Sequence, residues 1–208
     1  MASTLMHIAI AKEVNKYINL DERELILGTL APDISVELGE NKEISHFLNP
    51  STEYETPNIN NFLNKYRKYL KDPFVMGYFI HLIADKYWYR DYITKFVDKY
   101  TDNNEKKKLT YAAIKNIIYN DYTNINNDII EKYDLVLGNV FENPRTKSTI
   151  ITEIKTDSLN RIVDKLRLIL EESTPDKTIL FDIKDIEEYI NESAKYIVKD
   201  IEMLRVFK

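Results

Sequence analysis

The chain has 208 residues, 44% of them hydrophobic, a net charge of −5 and no cysteine. It is long enough to fill one core, and its interspersed Lys and Glu form no basic block that would neutralise a run of nucleic-acid phosphates, so no nucleic-acid partner is expected. Without cysteine there is neither a disulfide framework nor a thiolate metal site, and any zinc must be held by His and carboxylates.

Gly (4) and Pro (6) are scarce, which predicts an all-α, multi-helix bundle with a long loop between the second and third helices. We expect a single helical domain over 1–208, with 1–133 as the bundle core and 134–208 as a C-terminal helical portion. The N-terminal residues carry no basic n-region, and no window approaches ~20 uninterrupted apolar residues. A cytoplasmic location with no transmembrane segment is the resulting expectation.

Ser3 reads as the N-cap of a first helix to about Asn19, in which His7, Ile10, Ala11, Val14 and Ile18 share one face and turn His7 inward. Asp21 caps a short second helix from Glu22 to Leu27 or slightly beyond. Gly28 and Pro32 are read as its end, leaving Asp33 in a loop. From Ile34 to Pro57 no period is sustained, and Gly39, Pro50 and Pro57 mark a long loop that contains Ser45-His46-Phe47. Loops of this length in compact domains are usually functional or disordered.

A helix from Asn58 to Leu70 follows. Asp72-Pro73 then opens a helix whose stretch from Phe74 to Asp85 is apolar on every side and so belongs at the bundle centre. It continues amphipathically through Trp88, Tyr92, Phe96 and Tyr100, and breaks at 101–104. Another helix is expected from about Glu105 to Tyr122, with a short turn at Asp128 to Tyr133. Asp134 to Thr156 is mixed, and its β-branched patch from Ser148 to Ile154 fits either loop or short strand. Asp157 caps a helix to Glu172. A last helix from Ile183 sets Ile186, Ile190, Ala194, Ile197, Ile201 and Leu204 on one stripe, which would serve as scaffold or as a partner surface.

The chemistry gathers around the three histidines, His7, His46 and His81. Asp85 stands four residues after His81, on the same helical face, in a segment with almost no other polar group. A buried carboxylate costs several kcal/mol unless a cation compensates it, and the adjacent Lys86 points to another face. Asp33 and His46 complete a set of two imidazoles and two carboxylates that would bind Zn²⁺ with formal neutrality. On the residues alone, a buried His-Asp hydrogen bond uses the same spacing, and a metal-free helical protein stays open as a reading. Tyr78, Trp88, Tyr89 and Tyr92 would suit a cleft wall, but at helical spacing they read first as core or rim packing.

Together, the early helical His7, Gly28-Thr29-Leu30-Ala31-Pro32-Asp33, Ser45-His46-Phe47 and the run from Gly77 to Asp85 resemble the zinc-dependent phospholipase C family, related more distantly to the helical zinc nucleases. The resemblance spans roughly Met1 to Trp88. It implies that Asp33, His46, His81 and Asp85 hold one zinc, that His7 and a bridging Asp85 hold a second, and that Asp33 is the catalytic base. The implied activity is hydrolysis of a phosphate ester or phosphodiester, on a lipid headgroup or a smaller soluble ester.

Two features depart from the family. Secreted relatives complete the His7 site with main-chain groups of a mature N-terminal Trp, whereas this chain begins with Met1. They also hold a third metal through downstream His and Glu, and no histidine follows His81 here. Asp121 is the candidate substitute, giving one well-liganded site and a second under-liganded one. The alternative is a non-catalytic helical binding protein that retains one structural metal.

Overall fold

A computed structural model describes residues 2–49, 56–103 and 111–207. Among them the regular structure is helical, with one isolated β-bridge between Leu48 and Pro57. No described helix is long and apolar enough to cross a membrane.

Helix α1 (Thr4–Ile18) starts where Ser3 Oγ accepts from the Met6 N–H at 3.2 Å and ends on Asn19, whose φ of 51° is left-handed. The Asn15 side chain then clasps both backbone groups of Leu20. Helix α2 (Glu22–Leu30) starts on the Asp21 cap but runs through Gly28 rather than stopping there, and passes into a 3₁₀ turn at Ala31–Asp33. The reason is a close crossing. A Cβ on Gly28 would lie 2.0 Å from the Phe74 carbonyl oxygen, and one on Gly77 would lie 2.0 Å from that of Leu25. Gly28 is thus a contact glycine of the α2–α6 pair, not a helix terminator.

The stretch expected as a long loop carries two single-turn helices, α3 (Ile34–Glu37) and α4 (Lys42–Ser45). Its residues 50–55 lie outside the described part. Helix α5 (Ile59–Tyr66) turns Phe62 and Tyr66 inward, where Phe62 stacks on Tyr78 and Phe79. Helix α6 (Pro73–Tyr87), capped by Asp72, is buried without interruption from Phe74 to Asp85. It opens into a π turn at Trp88–Tyr92 and continues as α7 (Ile93–Asn103).

Residues 104–110, where the next helix was expected to begin, are outside the described part; α8 (Tyr111–Lys132) extends past Tyr122 and absorbs the turn expected near Asp128. Its buried face, Ile114, Ile118, Tyr122, Ile125 and Ile129, explains the length, because the apolar period does not stop at Tyr122. After α9 (Gly138–Glu142), residues Ser148 to Ile154 form no strand. Ile151 is buried, and the Thr152 N–H is taken by the Tyr66 hydroxyl instead of a sheet partner. Helix α10 (Leu159–Glu172) begins after a 3₁₀ turn, with Ser158 rather than Asp157 at the cap. Helix α11 (Ile183–Met203) starts on an Asp182–Asp185 capping box. It buries its stripe against α1, α6 and α8, so that face is spent inside the molecule and is not a partner surface.

Candidate metal centre

Five side chains from four segments converge at the buried middle of the bundle. His7 comes from the first turns of α1, Asp33 from the turn after α2, His46 from the end of α4, and His81 and Asp85 from successive turns of α6. The three histidines and Asp85 are at most 1% exposed. Asp33 alone retains some access, with its side chain 14% exposed.

The Asp85 carboxylate is divided between two sides. Oδ1 lies 3.2 Å from His7 Nε2 and accepts from the Ala2 N–H at 3.0 Å, while Oδ2 lies 3.7 Å from His81 Nε2 and 3.9 Å from His46 Nε2. His46 Nε2 is also 3.3 Å from Asp33 Oδ1 and 3.4 Å from His81 Nε2. The His7 and His81 rings stack with centroids 3.9 Å apart. Two overlapping ligand groups result: His7 with His81 and Asp85, and Asp33 with His46 and His81.

The His81 proton can be placed by elimination. His81 Nδ1 faces the Thr29 carbonyl oxygen at 2.8 Å, which can only accept, so Nδ1 carries the hydrogen and a neutral His81 presents a lone pair at Nε2. His46 Nδ1 lies 3.0 Å from Ser45 Oγ. The Ser35 hydroxyl, 2.6 Å from that of Ser45, can donate to it, which leaves Ser45 to donate to the Lys42 carbonyl oxygen and to accept from His46. Tyr78 donates to the Ser45 carbonyl oxygen and holds that turn in place. In that tautomer His46 Nε2 faces His81 Nε2 with a second lone pair, an arrangement that calls for a cation between them.

The remaining atoms agree. Neither ring nitrogen of His7 has an aligned hydrogen-bond partner, and Asp33 Oδ1 is likewise buried without one. Tetrahedral zinc with ligands near 2.0–2.1 Å separates neighbouring donors by about 3.3–3.4 Å. The His46–Asp33 and His46–His81 separations match that spacing, and the Asp85 separations are slightly longer. The donor set of imidazole and carboxylate suits zinc.

Electrostatics point the same way. Burial raises the Asp33 carboxyl, but the imidazoles of His81, His46 and His7 outweigh it and leave it below the ordinary carboxylate value. Burial opposes the charged form of Asp85 too, yet His7 and His81 hold it well below that value. His81 is lowered to about 3 by burial first and by His7 beside it, against the pull of Asp33 and Asp85. A neutral imidazole between two ionised carboxylates is the state a metal ligand needs.

Asp121 does not join either group. It is fully buried, and both its oxygens accept backbone N–H groups, from Ile179 at 2.9 Å, Leu180 at 2.7 Å and Phe181 at 3.4 Å. Its lone pairs are spent on fixing the approach to α11. Tyr78 and Trp88 are core, and Trp88 packs among Tyr189, Phe181, Tyr122 and Phe96. The open side of the centre is a recess of about 140 Å³, where Asp33 meets Ala2, Ser3, Thr4, Tyr119, Tyr122, Thr123, Asn126 and Ile169. The sequence assigns no role of its own to Thr123, Asn126 and Ile169 in this wall, or to Ser35, Ala2 and the Thr29 carbonyl, because main-chain contacts and common polar residues carry no spacing signal.

Residues 6–143, well over half of the chain and inclusive of all five converging side chains, match the family model described as zinc-dependent phospholipase C. No curated protein and no solved structure gave a match.

Proposed function

Because the chain belongs to the zinc-dependent phospholipase C family, we propose that its buried His/Asp centre is catalytic and hydrolyses a phosphodiester, of a phospholipid or of a smaller soluble ester. The observation that carries this reading is the position of Asp33, which belongs both to a ligand group and to the wall of the recess. A structural zinc site is closed by four protein ligands, whereas a catalytic one keeps a side open to substrate; in this reading the position beside His7 and Asp85, with fewer protein ligands, would be the open one.

In this reading Asp33, His46, His81 and Asp85 would hold one zinc, and His7 with Asp85 would hold a second. Zinc bound there supplies the Lewis acidity that polarises a phosphoryl oxygen and acidifies water to a pKa of about 7. Thr29 and Ser45 fix the two imidazoles from behind, so that neither ring can rotate its lone pair away. Asp33, ionised at neutral pH and in reach of the recess, orients the attacking water and takes its proton. The water oxygen bonds to phosphorus, the bond from phosphorus to the leaving oxygen breaks, and the Asp33 carboxyl returns the proton to that oxygen.

The test is hydrolysis of bis(p-nitrophenyl) phosphate and of a short-chain phospholipid by zinc-reloaded protein. Turnover in wild type that falls at least about 100-fold in Asp33→Asn, with zinc content measured alongside, supports the reading. Zinc-loaded wild type that turns over neither substrate favours the structural-metal alternative.

A further inference from the structure

The region where α5 and α11 end carries a charge opposite to that of the whole chain. A cleft of about 810 Å³ opens there between the stretch from Leu63 to Lys71 and the turn Leu204-Arg205-Val206 that follows α11. Five cations line it, Lys65, Arg67, Lys68, Lys71 and Arg205, and no described lining residue is acidic, although the chain's net charge is −5. Lys65 is offset by Glu153 at 2.5 Å. The other four form no ion pair with a described residue. Arg67 reaches across to the Leu204 carbonyl oxygen at 3.5 Å, and Lys68 lies over the Tyr69 ring, which leaves both charges uncompensated. The carboxylates nearest in sequence are engaged elsewhere, since Asp72 caps α6 and Glu202 lines the adjoining groove beside Tyr17 and Ile18.

Arg205 is held in this cleft at a conformational cost. Its φ of 54° is left-handed, in the turn where its N–H bonds the Glu202 carbonyl oxygen and that of Val206 bonds Ile201. Glycine is the usual occupant of this position after a helix, and any side chain there is disfavoured. A cation needed only for the dipole of α11 would serve equally in the last helical turn at an ordinary φ. Backbone strain of this kind gathers at functional sites.

The four unpaired cations are exposed, so each meets a partner in water. One such charge pair is worth only about fivefold in affinity and is screened by salt. A lone carboxylate or phosphate would not be held, whereas a ligand with several clustered charges engages the cations together. The cleft has the volume of a small-molecule pocket, and its concave wall suits a compact solute better than a flat bilayer.

We propose that this cleft is a second ligand site, which takes a small soluble polyanion bearing several phosphate or sulfate groups. It is remote from the histidines: Pro73 opens α6 two residues after Lys71, and Asp85 lies twelve residues further on, roughly 18 Å along the helix. The site therefore stands whether or not the metal centre is catalytic.

The experiment is calorimetric titration of zinc-reloaded protein with sucrose octasulfate, whose weakly basic sulfate esters leave zinc in place. Wild type is expected to bind it, more weakly as salt rises. The double variant Lys71→Gln with Arg205→Gln should bind about 20-fold more weakly. Lys132→Gln with Lys195→Gln removes the same two charges from exposed positions outside the cleft and should bind as wild type does. Arg205→Gly, relieved of the left-handed side chain, should melt near wild type yet bind about fivefold more weakly, which separates lost binding from lost fold. No binding by wild type, undiminished affinity in the Lys71/Arg205 variant, or an equal loss in the control variant would each overturn the proposal. So would sedimentation with phosphatidylserine vesicles that requires Lys71 and Arg205 in protein that binds no octasulfate, since the occupant would then be a membrane.

Discussion

His81 donates its Nδ1–H to the carbonyl oxygen of Thr29 across 2.8 Å, and that bond decides which of its nitrogens is left for a metal. His81 is the residue common to both ligand groups, and Asp85, one turn on, gives an oxygen to each side. Replacing His81 by Ala, or Asp85 by Asn, is therefore expected to lower zinc content in chelator-washed, zinc-reloaded protein. Loss of an outer hydrogen-bond partner alone typically weakens metal affinity 10–100-fold, so loss of a ligand should weaken it by more than about 100-fold. Elemental analysis with competitive zinc titration measures this, and wild-type zinc in both variants would place the metal elsewhere.

The crossing of α2 and α6 holds Thr29 against His81, and two glycines make it close enough. A Cβ on Gly77 would meet the Leu25 carbonyl oxygen at 2.0 Å and the Thr29 nitrogen at 2.8 Å, all backbone atoms that cannot swing aside. Gly77→Ala should push the helices apart and destabilise the protein by about 3 kcal/mol or more, with weaker zinc binding because Thr29 leaves His81. Gly138→Ala is the control: nothing lies within 4 Å of its Cβ, and the change should be neutral or stabilising by up to about 1 kcal/mol. Thermal or urea unfolding separates the two, and equal melting curves would deny the crossing its tight contact.

That crossing also shows where sequence reasoning stops. Gly28, four residues before Pro32, carries the same signal whether it ends a helix or admits a neighbour, and the deciding partner, Phe74, lies 46 positions away. The residues that converge were easier to find, because histidine occurs three times and Asp85 is a charge in an otherwise apolar run. Helix existence followed from apolar periodicity, as in α1, α6 and α11. The place of Asn126 in the recess wall was not legible, since asparagine is common in this chain and Ser173, which accepts from its amide, comes from the end of α10, far along the chain.

A second cluster ties the segment after α9 to α5. Lys65 and the Tyr66 hydroxyl both bind Glu153. Burial pushes the Glu153 carboxyl up, but Lys65 and Tyr66 outweigh it and leave it below its ordinary value of 4.5. A carboxylate depressed in the folded state contributes stability that is present above its unfolded pKa and is lost as pH falls through the folded one. Wild type should therefore lose stability below about pH 4.5, and Glu153→Gln should show a shallower acid limb and lower stability at pH 7. Urea midpoints between pH 3 and 7 check both, and parallel curves for the two proteins would remove Glu153 from the account.

Asp121 gives the sharpest separation of a structural carboxylate from a metal-binding one. Its two oxygens accept three consecutive backbone N–H groups, from Ile179, Leu180 and Phe181. Phe181 in turn packs its ring against Trp88, Phe96 and Tyr122. Asp121→Ala would strand these donors and is expected to cost about 2 kcal/mol or more. It should also loosen the Trp88 cluster, seen as reduced near-UV circular dichroism. Asp121→Asn keeps one acceptor oxygen and should cost less. Zinc content should be that of wild type in both, since neither oxygen faces the histidines. A variant that kept its melting temperature but lost zinc would return Asp121 to the metal centre and take the backbone role away.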